Sequence, residues 1–295
     1  MSFLQQIILG LKSYIRALEI IKRYKLYWYL PIPAVLMLII YYLGSLISEW
    51  QSSWDSQLGC LDCQTMNDTV WFLLKLLVSI TLGLILMKFA KYIVVIVLSP
   101  LFSVLSQIVE RKLTGNKYPF DLQQTIKDVK RGIRIALRNL MWEYFWFILI
   151  LIGVFIISDN PTESVFFYLT YLIGFFYYGF SFIDYINERR RLDIDQSIHF
   201  MRKYRGLAVA IGAIYSLLIL VPVDLGKMLD FSGFLDRPYQ KLGESLTQFL
   251  LWFLASSAPI LAIVAATAAM NEVVDLKKNE WSENDAIETD ENTLK

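Results

Sequence analysis

The sequence predicts an all-α integral membrane protein with about six membrane-embedded helices, some half-penetrating, flanked by amphipathic interfacial helices. Three observations carry this expectation. Apolar segments approach or exceed the roughly 18–20 residues that span a bilayer core. Only 19% of residues are charged, against about 25% in soluble domains. Those charges fall in clusters between the segments, so the net charge of +1 hides a strong asymmetry. Six short hydrophobic segments cannot close a barrel, so helices must satisfy their backbone groups internally.

Residues 1–26 come first. Leu4, Ile7, Ile8, Leu11, Ile15, Leu18 and Ile21 recur at helical spacing, with Lys12, Arg16 and Lys22 elsewhere around the wheel. This predicts an amphipathic helix in the membrane interface. It lacks a compact apolar core followed by a small-residue cleavage site, so it is expected to stay on the mature protein. The polytopic domain is expected over 27–272, with apolar segments at about 27–47, 70–99, 141–158, 164–186, 206–223 and 247–270. The remainder, 273–295, is acidic and expected to be a disordered cytoplasmic tail.

Lysine and arginine alternate in side. The N-terminal arm and the connections 100–140 and 187–205 are basic, whereas neither 44–74 nor 158–164 has any Lys or Arg. The positive-inside rule then places both termini in the cytoplasm. Tyr27, Trp28 and Tyr29 on the inner side, with Tyr41, Tyr42, Trp50 and Trp54 on the outer, fit interfacial belts. The connection 224–246 is ambiguous by this rule. Segments 141–158 and 164–186, joined around Asn160-Pro161, fit a re-entrant hairpin as well as two full crossings.

From 70 to 99 a straight helix would run about 45 Å, longer than a core of about 30 Å. Lys88 and Lys91 lie one turn apart near its inner boundary, either snorkelling to headgroups or forming the cationic mouth of a pore. Ser99-Pro100 predicts an N-cap with proline at the first helical position, hence a new helix. Leu101, Leu105, Ile108, Val109 and Leu113 lie on one side of it, with Ser103, Gln107, Glu110 and Arg111 on the other. In the next stretch Ile126, Val129, Ile133, Leu137 and Leu140 form an apolar stripe. Lys127, Lys130, Arg131, Arg134 and Arg138 form a cationic one. That cationic stripe either anchors the protein to anionic lipid and sets topology, or offers guanidinium groups to an anion.

Pro100, Glu110, Leu113-Thr114-Gly115, Asp128-Val129 with Arg131 and Arg134, Asp184-Tyr185, Arg202, Gly212-Ala213 and Leu30-Pro31 stand at spacings similar to one known family. Over roughly 20–270 the chain resembles the CysZ-type sulfate permeases, the bacterial branch of the etoposide-induced-protein family. The resemblance implies an all-helical fold with some central segments penetrating partway as a hairpin. It also implies homo-oligomers in a bacterial inner membrane and sulfate uptake feeding cysteine synthesis. It points to Arg131 and Arg134 as substrate-binding residues. The family's Gly-x-Arg-Arg turn, linked to sulfate binding, reads here Arg23-Tyr24-Lys25-Leu26, so Lys25 alone keeps a matching charge. Two further departures are Lys130, where the family has proline, and a longer 224–246 connection.

Arg131 and Arg134 are one turn apart, so convergence of both guanidinium groups on one tetrahedral dianion is expected. No Asp or Glu falls near the middle of any apolar segment, which favours a channel-like permease over a proton-coupled one. Cys60 and Cys63 form a C-x-x-C without the further ligands of a zinc site; a local disulfide or two plain thiols are expected. His199 is expected to be a solvated polar residue. Zincin, P-loop and nucleophile-elbow patterns are missing, so neither enzymatic activity nor a cofactor, metal or nucleic-acid partner is expected. The alternative to transport is a membrane scaffold of the same fold.

Overall fold

The computed structural model describes residues 1–58, 70, 96–116, 122–157, 164–230, 232, 237–274 and 276. Among these the regular structure is entirely helical, as expected. Lys88, Lys91, Cys60, Cys63, the Asn160-Pro161 turn, most of segment 70–99 and the tail from 277 lie outside the described residues.

Helix α1 (Phe3–Arg23) opens with a capping box between Ser2 and Gln5. Its inward face is Gln6, Gly10, Ser13, Tyr14, Ala17, Ile20 and Ile21. Leu4, Ile8, Leu11, Ile15 and Leu18, most of the expected apolar stripe, are exposed, the arrangement of a helix that turns its apolar side to lipid. In lipid this is sensible, because apolar side chains gain nothing by hiding from hydrocarbon, while small and polar ones permit close, hydrogen-bonded helix contacts. A 3₁₀ turn, Leu26–Tyr29, leads into α2 (Pro31–Leu58).

Helix α3 (Ser99–Thr114) begins one residue before the expected start. Leu98 is its cap, Ser99 lies inside the helix and Pro100 keeps a first-turn position where no N–H is needed. Gly115 closes it in the left-handed region at φ 87°, which only glycine adopts without strain. Helix α4 (Leu122–Ile157) joins the cationic stripe and the third apolar segment into one rod of 36 residues. Its apolar stripe divides: Ile126 and Leu137 are exposed, whereas Leu140 is buried with Ile135, Ala136, Asn139 and Glu143.

After a 3₁₀ turn, Val165–Tyr168, come α5 (Leu169–Arg189), α6 (Ile194–Lys203) and α7 (Arg205–Ile219). Helices α5 and α7 run antiparallel at very close approach. A Cβ on Gly179 would fall 1.8 Å from the Ala208 carbonyl oxygen, and one on Gly212 would fall 1.8 Å from that of Phe175. Gly212 in the motif Gly212-Ala213 therefore has a packing reason. Gln6 of α1 donates to the Lys203 carbonyl (3.1 Å) and accepts from the Gly206 N–H (3.0 Å), binding α1 to the α6–α7 junction.

Short α8 (Leu225–Leu229), capped by Asp224, precedes α9 (Pro238–Val273). Helix α9 begins nine residues before the expected sixth segment and contacts α1, α2, α3, α5, α7 and α8. Its buried half, Ala255 to Met270, is rich in alanine, which lets six neighbours approach. Packing extends to Leu276, buried, whose carbonyl accepts from Asn116 Nδ2 at 2.6 Å, so the first residues of the expected tail belong to the folded body.

Among the described residues four helices are long and apolar enough to cross a membrane: Leu26–Leu46, Lys130–Val154, Val165–Arg189 and Pro238–Val273. Both arms of the expected hairpin thus lie in helices of spanning length. The short apolar helix is α7, whose 15 residues reach only about 22 Å.

Candidate functional site

The site lies at the end of the bundle where α3, the first half of α4, the last turns of α5 and α6 meet. Ser99, Ser103, Ser106 and Glu110 share the inward side of α3 and are all buried. Glu110, expected on the side opposite Leu105 and Val109, is the deepest charge there, and its side chain is 1% exposed. Its Oε2 accepts from Arg189 Nη2 at 2.7 Å and Nε at 2.8 Å. Arg189 also donates to Ser106 Oγ and to the Tyr185 carbonyl. Two charges removed from water hold together only when such extra hydrogen bonds satisfy the remaining donors. In the sequence Arg189 reads as one more cation of a basic connection, and this pair goes unseen. The signal was the serine spacing on α3, which continues into Glu110 on the same side.

One and a half turns back along α5, buried Asp184 accepts from Arg131 Nη2 at 3.3 Å and from Ser197 Oγ of α6. Ser197 Oγ in turn accepts from Asn187 Nδ2 at 3.1 Å. Arg131 Nη1 donates to the Leu192 carbonyl in the α5–α6 turn. Arg131 therefore ties α4 to that turn with a neutralised charge. The next residue, Gly132, allows the approach: a Cβ there would lie 3.0 Å from Ser99 Oγ.

Deeper, Asn139 Nδ2 donates to Ser181 Oγ at 3.2 Å. Beyond it Glu143 sits against Gly174, 3.2 Å from where a Cβ would be, and lines a cavity of about 270 Å³ with Thr170, Tyr178 and Ser216. Because α4 is one rod whose candidate span starts at Lys130, Glu143 falls near the middle of that span. The expectation that acids stay near segment ends is corrected here: it took 141 as the start of the span.

Of the expected binding residues, Arg131 is engaged as above. Arg134, one turn along, is exposed. Convergence of the two on one anion is not the arrangement seen. Lys25 is exposed, with a left-handed backbone (φ 57°), at the junction of α1 and the 3₁₀ turn. Its neighbour Tyr24 donates to the Lys112 carbonyl at 3.4 Å, and the Lys112 ammonium lies 5.7 Å over the Tyr24 ring. Lys25 thus stands beside the last turn of α3, the helix end that also carries Glu110.

In comparison with known families, the one described as sulfate transporter CysZ/etoposide-induced protein 2.4 matches residues 13–224. No curated protein matches the chain.

Proposed function

Since the chain belongs to the CysZ/etoposide-induced protein 2.4 family, we propose that this multi-pass membrane protein lets sulfate cross a bacterial inner membrane to supply cysteine synthesis. It works without covalent catalysis, as a homo-oligomer with both termini in the cytoplasm. The family match carries the reading, and the division of charge at the α3–α6 end supports it. A dianion leaving water needs donors that no carboxylate has already claimed. Arg134 is exposed and outside every ion pair of the described residues, and Lys25 is likewise exposed. These two are the proposed anion contacts. Arg131 positions the strand of cations through Asp184 and Leu192.

Sulfate flux into proteoliposomes tests the reading. Saturable uptake above that of empty vesicles is expected, falling more than tenfold in Lys25→Gln/Arg134→Gln and little in Lys127→Gln, an exposed charge on the same helix. Flux no greater than that of empty vesicles would leave the scaffold reading in its place.

A further inference from the structure

Away from the charge hub, an open cleft of about 860 Å³ lies between α1, α4, α5, the end of α6 and α7. One end carries Arg202 and Arg205; Ile173, Phe176 and Val209 line the other part. The antiparallel register, Gly179 against Ala208 and Gly212 against Phe175, sets the distance between them. Arg205 lies level with about residue 182 of α5, and the cleft continues along α5 to Leu172, about 15 Å at 1.5 Å per residue. Tyr177 and Trp146 also line the cleft, which joins a cationic to an apolar lining. Rings with an apolar body and one polar atom suit such a boundary.

Both arginines are exposed, and among the described residues neither is in an ion pair. Arg205 instead lies 5.9 Å over the Phe3 ring, held to the α1 wall. A third guanidinium, Arg138, lies 5.9 Å over Phe180, one turn from Tyr177. Gathering like charges there is unfavourable unless an anion joins them. A bare sulfate would leave the apolar walls unused, and a neutral amphiphile would leave the cations unanswered.

We propose that this cleft binds one anionic phospholipid, its phosphate on Arg202 and Arg205 and the upper part of an acyl chain along Ile173, Phe176 and Val209. Basic recesses between membrane helices at headgroup depth recognise lipids in this way. The volume is that of a site for part of such a molecule, within the range of about 300–1,000 Å³ for ligand clefts. The inference does not rest on the sulfate reading.

Native mass spectrometry of the full chain, released from micelles holding equal phosphatidylglycerol and phosphatidylcholine, tests it. One retained phosphatidylglycerol per chain is expected. Retention should fall at least tenfold in Arg202→Gln/Arg205→Gln, with the melting temperature in neutral detergent unchanged. Lys203→Gln, an exposed neighbour, should retain the lipid as the parent does. Val209→Trp, which fills the aliphatic part and leaves the charges in place, should also expel it. Equal retention of the two lipids, undiminished retention in the arginine pair, or an equal loss in Lys203→Gln would overturn the site. Displacement of the lipid by millimolar sulfate would overturn it too, in favour of a free-oxyanion site.

Discussion

Two sets of cations share one end of this protein and live in opposite conditions. Arg189 and Arg131 point inward, with side chains 5% and 18% exposed, each claimed by a carboxylate on a neighbouring helix. Arg134 and Lys25 are exposed and, among the described residues, belong to no ion pair. The first set holds α3, α4, α5 and α6 together; the second is available to something that comes from solution. Counting arginines along the chain merges these sets. Burial separates them, and the separation can be broken experimentally.

The largest effect is expected at Glu110. Glu110→Gln keeps the shape and leaves Arg189 buried without its counter-charge, a loss of about 3–5 kcal/mol. It should appear as a large drop in melting temperature in detergent. Glu110→Leu with Arg189→Met, which removes both charges, should recover much of it. A single variant as stable as the parent would mean the pair is hydrated and the contrast is unreal.

Arg131→Gln comes next, because its partner Asp184 is deep while Arg131 itself is partly open to solvent. Loss of a charged hydrogen bond of this kind is worth about 1.5–3 kcal/mol. Adding Asp184→Asn should return part of it, whereas no recovery would show that Leu192 rather than Asp184 is the partner that matters. Gln6→Ala, outside the hub but equally buried, should lose about 1 kcal/mol, the net value of an ordinary buried hydrogen bond. An unchanged melting temperature there would detach α1 from the α6–α7 junction. The smallest effect is expected at Lys227, whose pair with Asp224 is exposed on both sides: Lys227→Gln should melt with the parent.

The same inside-outside distinction governs how much was legible in the sequence. Hydropathy and the basic clusters located the helical segments, and spaced motifs located the family, because both depend on composition along the chain. Facing was harder. Leu4, Ile8 and Leu11 on α1 are exposed as an interfacial helix expects, whereas the apolar stripe of α4 splits, with Ile126 and Leu137 exposed and Leu140 buried. Gly10, Ala17, Ala136 and Asn139 take the inside, as small and polar residues do between helices in lipid. On α3 Glu110 is buried together with Leu105 and Val109, and its partner Arg189 reads in the sequence as a topology signal. The depth of Glu143 is hidden for another reason: no breaker residue separates the amphipathic and apolar halves of α4, so the candidate span starts at Lys130 rather than at 141.

The central claim is that sulfate movement depends on the outward cations and only indirectly on the inward ones. Sulfate flux in proteoliposomes, compared between Lys25→Gln/Arg134→Gln and Arg131→Gln/Asp184→Asn at equal reconstituted amounts, tests it most directly. The account expects the first variant to keep the parent melting temperature and lose more than tenfold in flux. The second, which removes one charge of each sign, should keep most of its flux. Full flux in the first variant, with loss confined to the second, would contradict the claim and move the anion path to the buried pair.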